Sequence, residues 1–73
     1  MPESKISTEL GGRILSFVVE VGERIELGQE IAIIESMKME IPVTASIPGT
    51  VSSLLVKPDD MVAEGDAIMI VSQ

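Results

Sequence analysis

Apolar residues in this chain come in short runs, and the best-marked run alternates: Met39, Ile41, Val43 and Ala45 are separated by Glu40, Pro42 and Thr44. A period of two puts one set on each face of an extended backbone, so the segment reads as a half-buried β-strand. Similar but less regular runs lie at Ile14 to Val19, Glu30 to Glu35, Val51 to Val56 and Ala67 to Val71. Their richness in Ile and Val favours strand over helix. Gly22, Gly28, Asp59-Asp60 and Gly65 separate the runs, with Pro58 reinforcing the turn in the second half. Gly takes positive φ without a Cβ clash and Asp tolerates it better than most, so these are the expected bends. Helical content is expected to be close to nil. Pro42 conflicts with its strand because it cannot donate to a ladder, and an edge position with a local irregularity is expected there.

Setting each residue against the one 37 positions later aligns the two halves without a gap. Gly12 falls on Gly49, Gly28 on Gly65, Ser16 on Ser53, Val19 on Val56, Ile31 on Ile68 and Ile33 on Ile70. Ile6 and Val43, Leu10 and Ile47, Ile14 and Val51, Phe17 and Leu54, Ile25 and Val62, and Ile34 and Val71 are conservative pairs. The chain thus reads as one domain, 1-73, made of an internal repeat, 1-36 and 38-73. Each half supplies about four strands, and two similar β units with one apolar face each must cover one another. The expected fold is all-β: a flattened barrel-sandwich of two four-stranded antiparallel sheets with quasi-two-fold symmetry.

Composition supports this and narrows the function. The chain has 73 residues, and a domain of that size buries only about 60% of its unfolded surface, so there is room for one core and no second. Hydrophobic residues make up 45% of it and are spread along its length, which suffices for a packed interior. Cysteine is absent, so no disulfide staples the fold, and a reducing, cytoplasmic setting is expected. Met1-Pro2-Glu3-Ser4-Lys5 shows neither a basic nor an apolar leader region, and no apolar run reaches about 18 residues; no membrane partner is expected. A net charge of -7 repels phosphate and the single aromatic residue offers no stacking platform, which argues against nucleic acid. The acidic surface keeps the chain soluble and, in isolation, monomeric, and could also steer it to basic faces of partner proteins. With no His and no Cys there is no zinc site or His-assisted nucleophile, and the twelve acids show neither calcium-loop spacing nor an acid/base pair. Catalysis is not expected.

The join of the two halves is where a local rule breaks. Glu35-Ser36-Met37-Lys38-Met39-Glu40 connects two strands through Met37-Lys38, whereas a two-residue hairpin turn favours Asn-Gly or another Gly pair. Breaks of this kind concentrate at functional or strained sites. Lysines on turns are common, and flanking Met can be ordinary core filling; the position of this lysine, at a hairpin tip on the symmetry junction, is what suggests enzymatic modification. A lysine amine is largely protonated and a poor nucleophile at neutral pH, so a ligase and an activated acyl donor would be required.

Together with Gly28-Gln29-Glu30-Ile31-Ala32-Ile33-Ile34, Ala45-Ser46-Ile47-Pro48-Gly49 and Glu64-Gly65-Asp66, this turn resembles the biotinyl domain of biotin carboxyl carrier proteins, over nearly the whole chain. The resemblance implies that Lys38 receives biotin in amide linkage from a biotin protein ligase. A biotin carboxylase then loads the cofactor and a carboxyltransferase unloads it. It also implies the two-sheet fold with the termini at one end and Lys38 at the other. Met37 and Met39 are assigned to ligase recognition and turn geometry, with Met39 equally suited to the core because it continues the inward series of its strand. Glu35 and Glu40 could meet basic residues of the ligase, but exposed acids are usually solvated, and that reading is preferred.

Three alternatives remain at this level. Lipoate on the same Lys38 would make an acyl carrier, although sister lipoyl domains usually have an acid before the lysine and Ala after it, where this chain has Met37 and Met39. An unmodified interaction module of the same fold is a second, and an enzyme the third. The chain departs from the family at Ile41, at Pro42 and at Ala45-Ser46, where Ala-Pro is usual. The gap-free halves leave no room for the protruding insertion some bacterial carriers have. The chain reads equally as a whole small protein or as an excised domain, and the acyl substrate cannot be read from it.

Overall fold

The Ile- and Val-rich runs become strands in the computed structural model, which describes residues 2–73 and contains no helix among them. Met1, the first residue of the expected repeat, lies outside the described residues. In chain order the strands are β1 (Glu3–Ser7), β2 (Gly12–Phe17), β3 (Arg24–Ile25), β4 (Glu30–Ser36), β5 (Met39–Thr44), β6 (Gly49–Leu54), β7 (Met61–Val62) and β8 (Ala67–Ser72). They form two four-stranded sheets, β1-β8-β6-β3 and β5-β4-β2-β7, antiparallel throughout.

The offset that aligns the sequence halves also aligns the hydrogen-bond ladders. Arg13 faces Glu35 and Ile14 faces Ile34, as Thr50 faces Ser72 and Val51 faces Val71. The ladder slips once between Ile14 and Ser16 and again, at the equivalent place, between Val51 and Ser53. A bulge leaves one residue unpaired and sharpens the twist, which lets a short sheet wrap its partner. Advancing every strand by half the chain converts one sheet into the other.

Between the sheets lie Ile14, Ile31 and Ile34 from the first half and Val51, Ile68 and Val71 from the second, all essentially inaccessible, with Ile6, Ile25 and Met69. Each such side chain contributes about 1.5–3 kcal/mol on burial, and in a domain this small these side chains carry the fold. Thr8 is the buried polar exception; its hydroxyl donates to the Leu10 carbonyl (2.6 Å) and accepts from the Leu10 amide (3.2 Å).

Four of the tight turns repeat one device. Gly22, Gly28, Asp59 and Gly65 all have positive φ, and the amide after each donates to the carbonyl two residues before it, as in Asp60 N to Lys57 O at 3.0 Å. The side chains of Glu23, Gln29, Asp60 and Asp66 then accept from the amides of Glu20, Glu26, Lys57 and Ala63, closing each turn from both sides. The expected bends are therefore where the chain turns.

Two expectations need correction. Pro42 sits on β5, an edge strand as anticipated, but the ladder runs through it unbroken opposite Ile33; the slip lies instead between Glu30 and Ala32. A proline whose missing donor faces outward from an edge disturbs nothing. Val18-Val19 and Leu55-Val56, read as strand ends, lie past β2 and β6, where the chain leaves one sheet for the two-residue β3 or β7 at the edge of the other.

Gly12 and Gly49 are held where a side chain cannot fit. A Cβ on Gly49 would stand 2.6 Å from the Ser72 carbonyl oxygen and against the Val71 side chain, and one on Gly12 would strike the Glu35 carbonyl. Gly22 has positive φ but open space around it. We expect Gly49→Ala to lose about 3 kcal/mol in urea unfolding, from overpacking and backbone strain, and Gly22→Ala only about 1 kcal/mol, from strain alone.

Candidate attachment site

Among the described residues, β4 and β5 are the only strands that are neighbours both in sequence and within a sheet, so Met37-Lys38 is the one hairpin turn there. The last ladder pairs below it are Ser36 with Met39 and Glu35 with Glu40. Met37 and Lys38 have φ of 52° and 66°, both in the left-handed region that a two-residue hairpin of this hand demands. Neither residue is Gly or Asn, and each such non-Gly residue costs about 1 kcal/mol or more. The broken rule seen in the sequence is thus a real conformational cost at one place.

Lys38 is exposed, and among the described residues no acid lies within ion-pair distance of its ammonium. Met37 is 93% exposed and Met39 63% exposed. Met39 does not belong to the core: it continues the inward alternation of β5 but lies exposed at the start of the strand, and burial begins in earnest only at Val43. Two thioethers therefore stand in water on either side of the amine, where apolar side chains gain nothing from the fold itself.

The hairpin is anchored by a residue that sequence reasoning passed over. Arg13, on β2, donates from Nη2 to Glu35 Oε1 at 2.9 Å and from Nη1 to Asp59 Oδ1 at 2.6 Å. The hydrogen bond and charge of Glu35, then those of Asp59, raise the Arg13 guanidinium above its ordinary value. Glu35 is consequently not merely solvated, as expected, but paired; Glu40, directly opposite it, is exposed. Arg13 is separated from its partners by 22 and 46 positions, so only the folded sheet brings them together. The available signal was the alternation of β2, which turns Arg13 outward next to an inward Ile14.

The termini occupy the matching position at the other end. β2 starts beside Glu35 and runs away from the hairpin; β3 then pairs with Thr50, which faces Ser72, and Gln73 N donates to Pro2 O at 3.1 Å. The long dimension of the molecule is 37 Å against 17 Å across. No group of three His, Cys, Asp or Glu able to hold a metal occurs among the described residues.

Residues 1–71 match the family model described as "Biotin-requiring enzyme". The biotin/lipoyl attachment protein of Bacillus subtilis is 43% identical over 67 residues, covering 92% of each chain. The mitochondrial propionyl-CoA carboxylase alpha chain of Homo sapiens is 36% identical over 66 residues, 90% of this chain and 9% of that one. Among solved structures, the urea carboxylase of Kluyveromyces lactis matches with a TM-score of 0.89 and 35% identity, over 99% of this chain and 6% of that one. The chain belongs to the biotin/lipoyl attachment family. The match spans nearly all of the Bacillus subtilis protein but less than a tenth of the human carboxylase chain and of the urea carboxylase.

Replacing Met37-Lys38 with Asn-Gly removes two strained residues. The variant is expected to be more stable by about 1–2 kcal/mol in urea unfolding, while offering no amine at the tip.

Proposed function

We propose that this chain is a carboxyl carrier in which biotin is held in amide linkage by Lys38 Nζ. One observation carries the reading: in a member of the biotin/lipoyl attachment family, the single hairpin turn accepts two strained residues and presents an unpaired lysine amine at its tip. Lys38 fits the group because the amine is reachable from outside, and nothing in the fold has to move to expose it.

In the attachment step, a biotin protein ligase offers an acyl adenylate. The deprotonated Lys38 Nζ attacks the acyl carbon, an amide C–N bond forms, and adenylate leaves with the acyl-phosphate electron pair. Thereafter Lys38 is an anchor. The cofactor supplies a ureido nitrogen on which a carboxyl group rides. The chain's own residues hold the tether at the far end of a rigid sandwich and keep it clear of the core, and they contribute no catalytic group. Met37 and Met39 serve as apolar contacts for the ligase, since neither is used by the fold.

A biotin carboxylase and a carboxyltransferase are the implied partners, in a reducing cytoplasmic compartment. Relatives bear the names propionyl-CoA carboxylase, pyruvate carboxylase and urea carboxylase. The recurrence of one domain type in proteins with names this different supports a reading in which acceptor choice lies with the transferase and not with the carrier.

Intact mass spectrometry of the chain co-expressed with a biotin protein ligase and biotin tests this. One biotin adduct mapping to Lys38 and lost in Lys38→Arg is expected. No adduct overturns the reading, and a lipoyl adduct formed by a lipoate ligase instead would assign the chain to acyl transfer. In ligase kinetics, Met37→Ser and Met39→Ser are expected to lower kcat/KM about tenfold with unchanged thermal midpoints, each losing about one apolar contact.

A further inference from the structure

The duplicated fold provides a control within the same molecule. At the lysine end, Arg13, Glu35 and Asp59 form a charged cluster. Their counterparts at the opposite end, 37 positions away, are Thr50, Ser72 and Gly22. There Ser72 bonds to the Ser52 hydroxyl and donates to Glu3 Oε2 at 3.3 Å, and no cation among the described residues bonds to Ser72. The ladders around the two clusters have the same register. The fold is therefore built once with the charges and once without, so the charges are not what the fold requires.

Their geometry points to the hairpin. Glu35 is the next-to-last residue of β4, and it stands directly across from Glu40 on β5. Like charges opposite each other in a ladder repel, which would splay the hairpin at its base. Arg13 neutralises Glu35 and ties it, through the same planar fork, to Asp59 on the β6–β7 turn. Asp59 holds positive φ where its counterpart is Gly22, so a residue less suited to that backbone stands where its carboxylate meets Arg13. Two strands, β2 and β4, and the β6–β7 turn are thereby fastened together at the base of the Lys38 hairpin.

We propose that Arg13 is a positioning residue for modification of Lys38: by strapping Glu35 to Asp59 it holds the Met37-Lys38 turn in the one orientation the ligase accepts. This rests on the carrier reading and adds a specific residue to it. Without the strap the turn samples other orientations, and the apparent affinity of the ligase falls in proportion to the competent fraction, while a correctly bound complex reacts at its usual rate.

The test uses the intact chain with a biotin protein ligase, comparing Arg13→Gln, Arg13→Lys and Asp59→Gly with the parent. Arg13→Gln is expected to raise KM for the carrier about threefold to tenfold with kcat unchanged, the scale of two exposed ion pairs, and Asp59→Gly, which breaks one of the two, about threefold. Arg13→Lys should fall between, because an ammonium keeps the charge and loses the fork. Asp59→Gly relieves a strained backbone, so its thermal midpoint should stay level or rise while its KM worsens, an outcome that general destabilisation does not produce. A parental KM in both Arg13→Gln and Asp59→Gly would overturn the proposal, as would a KM that tracks the thermal midpoint across the set. Were the parent itself to accept no biotin, the carrier reading would fail instead. Amide exchange at Ser36 to Met39 would then still decide the strap: faster in Arg13→Gln if it holds the turn, unchanged if it does not.

Discussion

The interlocking of the two halves is the constraint from which the rest follows. Neither half of the chain forms a sheet from its own strands alone: β1 and β3 find their partners in β8 and β6, while β5 and β7 find theirs in β4 and β2. Backbone donors and acceptors of one half are satisfied by the other, and the apolar faces so created are buried against each other through Ile14, Ile31, Ile34 and their counterparts. The ladders and the core therefore form together. This suits a domain too small to spare any of its apolar surface.

Interlocking also explains why the displayed lysine amine sits where it does. Because every other connection between the described strands crosses from one sheet to the other, only β4 to β5 makes a simple hairpin among the described residues, and it is the seam between the two halves. A turn at the seam touches little else, so it can carry residues chosen for presentation at a cost in backbone strain that the core absorbs. The same position at the opposite end is taken by the chain ends. Duplication thus produces two equivalent tips, one left open and one closed by Met37-Lys38.

Much of this was legible in the sequence because the governing signals were local or periodic. Alternation marked β5, the 37-residue offset marked the pairing of the halves, and Gly22, Gly28, Asp59 and Gly65 marked the turns at positions where positive φ is needed. Lys38 stood out through the unfavourable turn residues around it. What stayed hidden was relational. Periodicity states which face Met39 occupies but not whether it is covered there, and it lies exposed. The Arg13 cluster draws on two strands and a distant turn, so no short window along the chain could contain it. The two-residue strands β3 and β7 are too short to show a period, and their existence depends on the edges they complete.

The seam has a consequence for how the molecule holds itself together. A sandwich in which each half completes the other's sheets is, apart from one connection, the architecture of a symmetric dimer of short peptides. Met37-Lys38 is that connection. It converts what would be a bimolecular association into an intramolecular one, with an effective concentration of order millimolar for a short tether. A single proteolytic cut at the tip would leave every hydrogen bond and every core contact available, yet make the structure's persistence depend on dilution. The dipeptide that displays the amine is thus also the covalent tie that makes folding independent of concentration.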